Sequence, residues 1–149
     1  LSYFTYHLGV CLMAPVLFLL LVKHSICNLA LQGRFSTRYP RGSKLNIWHP
    51  NGTFHALDHA IGTAIVFFLV SVFFKIFTDV TYEIFYGFIL FAFLDFWLHL
   101  FIDWRKSHIV KKTKVGLNDH KFWIISSIDQ IMHFTCYWFY VWCFDKLFF

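Results

Sequence analysis

Four long apolar stretches divide the chain and constrain its fold more than any other feature. They cover about residues 6–32, 55–77, 82–104 and 121–144. Each is long enough to cross the hydrocarbon of a bilayer, which takes roughly 20 helical residues. Only 14% of the residues are charged, whereas soluble domains average about 25%. We therefore predict one all-α domain over residues 1–149, an integral membrane bundle of about four transmembrane helices.

The connections between these stretches predict the orientation of the bundle. Residues 33–54 carry four Lys and Arg residues and no acid, and residues 105–120 carry five against one acid. In a four-span bundle both loops lie on one side, which the positive-inside rule assigns to the cytoplasm. Both termini are then outside. Basic loops beside apolar spans are typical of contact with anionic lipid, so we expect the bilayer and no nucleic acid as partner.

Ionisable side chains inside the apolar stretches predict the functional site. Such a side chain costs several kcal/mol in a bilayer, so it usually has a partner or a function. In three of the stretches these residues are spaced by four, which places them on one face of a helix. The pairs are His55 and His59, Asp95 and His99, His99 and Asp103, and Asp129 and His133.

These side chains are also predicted to lie at a common depth. At a rise of about 1.5 Å per residue, most fall roughly 6–18 Å from the inner end of their helix. Imidazole and carboxylate are ligands that suit Zn, Mn or Fe. The sequence therefore predicts a divalent metal site near the cytoplasmic face. Its expected ligands are His24, His55, His59, His99, Asp103 and His133.

Other interpretations of these polar residues stay open. The same layer can be a proton-relay network, a structural element or a haem site. Lys23 and Lys106 are predicted to snorkel or face lipid, with neutralisation of an aspartate as the alternative for Lys106. Four histidines lie in loops or near termini and are interpreted as surface residues: His7, His49, His108 and His120.

The order of these motifs resembles a known family. The segment HSICNLALQ from His24 is similar to an H-x-x-x-D-x-x-x-Q element. His55 and His59 follow, then H-x-x-x-D-x-x-K from His99 and D-Q-x-x-H from Asp129. Over about residues 20–135 this order resembles small four-helix membrane proteins of phages and bacteria, known only as a domain of unknown function.

The resemblance implies a helical bundle in the inner membrane of a bacterial or phage-infected cell, with its site at these motifs. There is one departure. Asn28 stands where the family pattern has Asp, so a ligand or base role at that position does not carry over directly.

Three functions are consistent with the pattern. The first is a metal-dependent hydrolase of lipid-linked or phosphoester substrates, with Asp95 and Asp129 as candidate catalytic bases. The second is a diiron acyl-chain oxidase or hydroxylase, since the spacing of His55 and His59 is similar to desaturase His boxes, although HxxHH is absent. The third is a non-enzymatic accessory subunit of a larger membrane complex, whose polar layer binds an ion, haem or pigment or only locks the bundle.

Overall fold

Four α-helices make up nearly all of the computed structural model, which describes residues 2–31, 46–77 and 83–148. A π-helical segment, Cys27–Leu31, continues the first helix. Those ranges contain no β-strand, which confirms the predicted all-helical architecture. The helices are α1 (Ser2–Ile26), α2 (Pro50–Phe77), α3 (Glu83–Thr113) and α4 (His120–Phe148).

Two helices extend beyond the apolar stretches that predicted them. The second begins at Pro50 rather than near residue 55, because proline is well suited to the first turn of a helix, where no N–H partner is needed. The third runs to Thr113, so much of the loop predicted over residues 105–120 is helical. Hydropathy marks the part of a helix suited to hydrocarbon, whereas backbone hydrogen bonding continues through polar residues. Most of the first predicted loop, residues 32–45, lies outside the described residues.

Each helix packs against two neighbours, so that the four surround one interior. α1 contacts α2 and α4, and α3 contacts the same two helices. One half of this interior is an apolar core of aliphatic and aromatic side chains. Phe67 and Phe91 stack there with ring centroids 4.6 Å apart, and Phe144 packs against both rings. The other half is polar and contains the ionisable residues.

Many polar side chains are buried in this bundle, and many large apolar side chains are exposed. Eleven polar or charged residues are buried among the described residues, including one lysine, two aspartates and five histidines. The exterior instead exposes large apolar side chains on every helix, such as Leu29 at 84% and Phe93 at 60%. Soluble monomers rarely expose contiguous apolar patches of more than a few hundred Å².

Two helical stretches are long and apolar enough to cross a membrane, namely Pro50–Phe73 and Tyr86–Thr113. Met13–Leu29 is a shorter apolar helix. Within the described residues, α4 does not reach the same mean hydropathy. It contains three Trp and two Tyr in addition to its ionisable residues, and these aromatic side chains combine an apolar ring with a polar tip.

Candidate metal centre

Five imidazoles from all four helices meet in the polar half of the bundle. We call this set the histidine cluster; each member is at most 3% exposed. His59 and His99 stack with ring centroids 3.6 Å apart, and His99 and His133 stack at 4.1 Å. His55 lies 4.6 Å from His59, and His24 lies 4.9 Å from His59. The predicted convergence of these histidines is therefore confirmed.

Asp103 faces three members of the histidine cluster. Its Oδ2 lies 3.7 Å from His55 Nε2 and 3.8 Å from His99 Nε2. Its Oδ1 lies 3.6 Å from His133 Nε2. These separations exceed the length of an N–H···O hydrogen bond. They are close to the ~3.4 Å expected between two ligand atoms of a tetrahedral ion with bonds of ~2.1 Å.

His99 is the member of the histidine cluster whose ring nitrogens lack hydrogen-bond partners in the part of the chain that the structure describes. It is 1% exposed, and neither ring nitrogen has a hydrogen-bond partner among the described residues. A buried polar group left in this state costs about 1–3 kcal/mol. Coordination of a metal would satisfy one of these two nitrogens, so the donor set fits a cation.

Three overlapping groups of side chains can hold a metal ion, because the ligand atoms within each group lie within 4.8 Å of one another. Every residue predicted as a ligand belongs to at least one group, and Asp129 belongs to the third. Clusters of His and Asp able to bind a metal are therefore present, as predicted. The groups are His24, His59 and His99; His55, His99 and Asp103; and Asp103, Asp129 and His133.

Lys23 is buried inside the bundle, so the prediction that it faces lipid is wrong. Its ammonium lies 2.6 Å from Asp95 Oδ2 and donates to the His59 carbonyl oxygen at 3.0 Å. A buried carboxylate needs a counter-charge, and Lys23 supplies it. Gly62 leaves room for the lysine stem, since a Cβ there would lie 2.9 Å from Lys23 Cδ.

The amide and hydroxyl groups around His24 satisfy its ring nitrogens. His24 Nδ1 lies 2.9 Å from the Tyr137 hydroxyl. His24 Nε2 lies 3.0 Å from Gln130 Oε1 and 2.9 Å from Asn28 Nδ2. Asn28 Oδ1 also lies 3.3 Å from His59 Nε2. Asn28 therefore joins two imidazoles of the cluster.

The two carboxylates predicted as catalytic bases are each held by a lysine. Asp95 Oδ2 accepts from Lys23 and, at 2.6 Å, from the Thr63 hydroxyl. Asp129 Oδ2 accepts from Lys106 Nζ at 2.7 Å and from the Gln130 amide at 3.0 Å. The prediction that Lys106 neutralises an aspartate is confirmed. The base roles themselves stay predictions.

Asp103 is one of the residues that line an open cavity of about 390 Å³. Asp129 is part of its lining, whereas Asp95 and His99 are not among the lining residues. The cavity is within the size range of small-molecule sites. Polar groups from all four helices form much of its wall, including Ser25, His55, Lys106 and Gln130.

Three of the four histidines interpreted as surface residues are described by the structure, and they lie outside the cluster. His120 is exposed, as predicted, whereas His49 and His108 are half-buried. His49 Nδ1 accepts from the Asn51 amide at 3.3 Å, and His108 Nδ1 lies 3.2 Å from the Trp104 carbonyl oxygen. The side chain of His7 lies outside the described residues.

No protein-family model matches this chain, and neither does any curated protein or solved structure. The resemblance to the phage and bacterial family stays a prediction.

Proposed function

We propose that this protein is a membrane-embedded, metal-dependent hydrolase of lipid-linked or other phosphoester substrates. One observation carries the proposal. The Asp103 carboxylate lies 3.6–3.8 Å from three buried imidazole nitrogens, and Asp103 lines an open cavity. That donor set suits a divalent cation, and the cavity gives a substrate access to it.

The same proposal places all four helices across a bilayer, with both termini outside. The exposed apolar side chains and the buried ionisable residues support it, because an apolar exterior is favourable in acyl chains and buried charges then need internal partners. The exposed basic residues Arg105, Lys111 and Lys112 follow Asp103 along α3, at the end of the bundle that holds the site. The positive-inside rule assigns that end to the cytoplasm.

Fractionation and reporter fusions test this placement. We expect the protein to stay in the membrane pellet after alkaline carbonate washing. Alkaline phosphatase fused after Phe149 should be active, because that end is outside, and green fluorescent protein fused there should be dark. With the reporters inserted instead within the turn at residues 116–118, alkaline phosphatase should be inactive and green fluorescent protein should be fluorescent. Release by carbonate would contradict the membrane placement, and a fluorescent C-terminal fusion would contradict the orientation.

The residues around the cavity suit hydrolysis of an anionic ester. Hydrolysis adds one water across the P–O bond and yields a phosphate and an alcohol. A bound divalent metal supplies polarisation of the phosphoryl oxygen and activation of water. Lys106 provides a cationic group at the cavity wall, while its contact with Asp129 fixes that carboxylate. Of the two predicted bases, only Asp129 can contact a substrate in this cavity.

Two alternatives are less well supported by the same features. An acyl-chain oxidase needs an apolar channel to its metal, whereas this cavity has amide, hydroxyl and ammonium groups in its wall. A proton path across the membrane needs polar groups at every depth. Here the polar half of the interior ends against the buried side chains of Phe67, Phe91 and Phe144.

A phosphodiesterase assay tests the proposal. Protein purified in detergent should hydrolyse bis(p-nitrophenyl) phosphate, lose activity with EDTA and recover it with Mn²⁺ or Zn²⁺. His99→Gln should lower kcat/KM by about 10²–10³-fold, comparable to removing one group that stabilises developing charge. His120→Gln should retain wild-type activity, because that side chain is exposed and outside the cluster. A folded protein with neither bound metal nor activity would favour the accessory-subunit function instead.

A further inference from the structure

We infer that the site binds two metal ions and that the Asp103 carboxylate bridges them. This inference rests on the proposed metal-dependent function and specifies the site further. It follows from the way the two oxygens of one carboxylate face two different groups of ligands. Carboxylates that lie between two cations are a recurrent feature of helical bundles with dinuclear sites.

The first ion would lie between His55, His99 and Asp103 Oδ2. His55 Nε2 and His99 Nε2 approach the same oxygen at 3.7 and 3.8 Å. These two histidines come from α2 and α3, and both are buried. His99 has both of its ring nitrogens unsatisfied within the described part of the chain, so it is the best placed of the imidazoles to bind a cation.

The second ion would lie between His133, Asp129 and the other oxygen of Asp103. His133 Nε2 is 3.6 Å from Asp103 Oδ1 and 3.8 Å from Asp129 Oδ1. Lys106 and Gln130 hold Asp129 Oδ2. They leave Oδ1 directed at the imidazole, buried and with no hydrogen-bond partner among the described residues.

The spacing of the two halves matches a dinuclear site. His99 and His133 are stacked with ring centroids 4.1 Å apart and an interplanar angle of 27°. Their Nε2 atoms face different oxygens of Asp103. The ions of two-metal hydrolytic sites lie about 3.5–4 Å apart, which is close to the separation of these rings.

Charge distinguishes this pair of sites from the remaining group, His24, His59 and His99. That group contains no carboxylate, and the Lys23 ammonium lies 3.5 Å from His59 Nδ1. A dication there would be repelled by a buried ammonium and would have no anionic ligand. The two groups that share Asp103 each contain at least one carboxylate.

The charge of the dinuclear site also specifies the substrate class. Two dications contribute +4, and Asp103 with Asp129 contributes −2, which leaves +2 before Lys106 is counted. Such an excess in a partly buried cavity favours an anionic ligand that can contact both ions. A phosphoester meets this requirement, since its non-bridging oxygens share negative charge. Asp129 then acts as a metal ligand rather than as a general base.

Metal stoichiometry tests the inference on the full chain, purified in detergent with an affinity tag that contains no histidine. After loading with Mn²⁺ and removal of excess ion, elemental analysis should give two Mn per chain. Electron paramagnetic resonance should show the multiline spectrum of an exchange-coupled pair. His55→Gln and Asp129→Asn should each retain one Mn with the six-line spectrum of an isolated ion. His120→Gln should match the wild type.

The outcomes separate this inference from the proposed function. Two ions with a coupled spectrum, reduced to one by either substitution, support the bridged site. One Mn per chain with EDTA-sensitive hydrolysis would overturn the dinuclear site and leave the proposed function intact. Two uncoupled ions would also overturn the bridge. No bound Mn, in protein whose circular dichroism shows folded helices, would overturn both proposals.

Discussion

Asp103→Asn is expected to remove both metal binding and hydrolysis, the largest functional effect of any single substitution in this chain. The asparagine keeps the shape of the side chain but carries no charge, and its amide nitrogen cannot coordinate a cation. Asp103 lies beside His55, His99 and His133, so the substitution affects the ligand sets of both proposed ions at once. A loss of about 4 kcal/mol of transition-state stabilisation lowers kcat/KM by about 10³-fold.

The matched control for this substitution is Asp145→Asn. Asp145 lies on α4, sixteen residues beyond Asp129, and thus about 24 Å along the helix from the site. Its contact with Lys146 is 3.3 Å long, and the lysine is exposed. The control should retain both metal and activity. If the Asp103 variant retained its metal content and activity while remaining helical, the proposed site would be wrong.

Much of this site could be predicted from the spacing of residues along each helix. Side chains at i and i+4 share one face whatever the helix packs against, so the pairing of His55 with His59 and of His99 with Asp103 depends only on local geometry. The depth of the site within the bundle was predicted from the positions of the polar residues within the apolar stretches. Both kinds of information are present in a single sequence.

The position of Lys23 could not be predicted in this way. Whether a lysine in an apolar helix faces lipid or the interior depends on the rotation of that helix about its axis. Packing against α2 and α4 sets this rotation. One signal was available in Gly62, whose missing side chain leaves space for the lysine stem, but the sequence alone does not show that these two residues are opposite each other.

The sequence left two alternatives open for Lys106, contact with lipid or neutralisation of an aspartate, because α3 was predicted to end near residue 104. A helix that continues to Thr113 places Lys106 three residues after Asp103 on the same face, and its ammonium then reaches Asp129. The π-helical segment Cys27–Leu31 also had no hydropathy signal. It follows His24 and contains Asn28, in agreement with the frequent occurrence of such segments at functional sites.

Lys23→Met is expected to destabilise the protein by about 3–5 kcal/mol, as is usual when one partner of a buried ion pair is removed. The methionine fills the space of the lysine stem but leaves the carboxylate of Asp95, which is 2% exposed, with only the Thr63 hydroxyl as donor. The free energy of unfolding can be measured by titration with sodium dodecyl sulfate in mixed micelles, with helix content followed by circular dichroism.

The double variant Lys23→Met/Asp95→Asn should recover most of this loss. Both charges are then absent, and the asparagine oxygen can still accept from Thr63, so no uncompensated ion stays buried. Replacing a buried ion pair by neutral groups of similar volume is often close to neutral in stability. A double variant as unstable as Lys23→Met alone would show that Lys23 stabilises the fold through its bond to the His59 carbonyl rather than through charge.

The same double variant decides whether Asp95 has the base role that its position in the sequence predicted. Asp95 is absent from the cavity lining, and its Oδ2 is already bonded to Lys23 and Thr63. Hydrolysis should therefore stay within about threefold of wild type in the refolded double variant, a change of less than 1 kcal/mol in the barrier. A loss of 10²-fold or more with unchanged metal content would instead place Asp95 in the reaction. Its buried pair with Lys23 would then be a proton-transfer pair rather than a structural one.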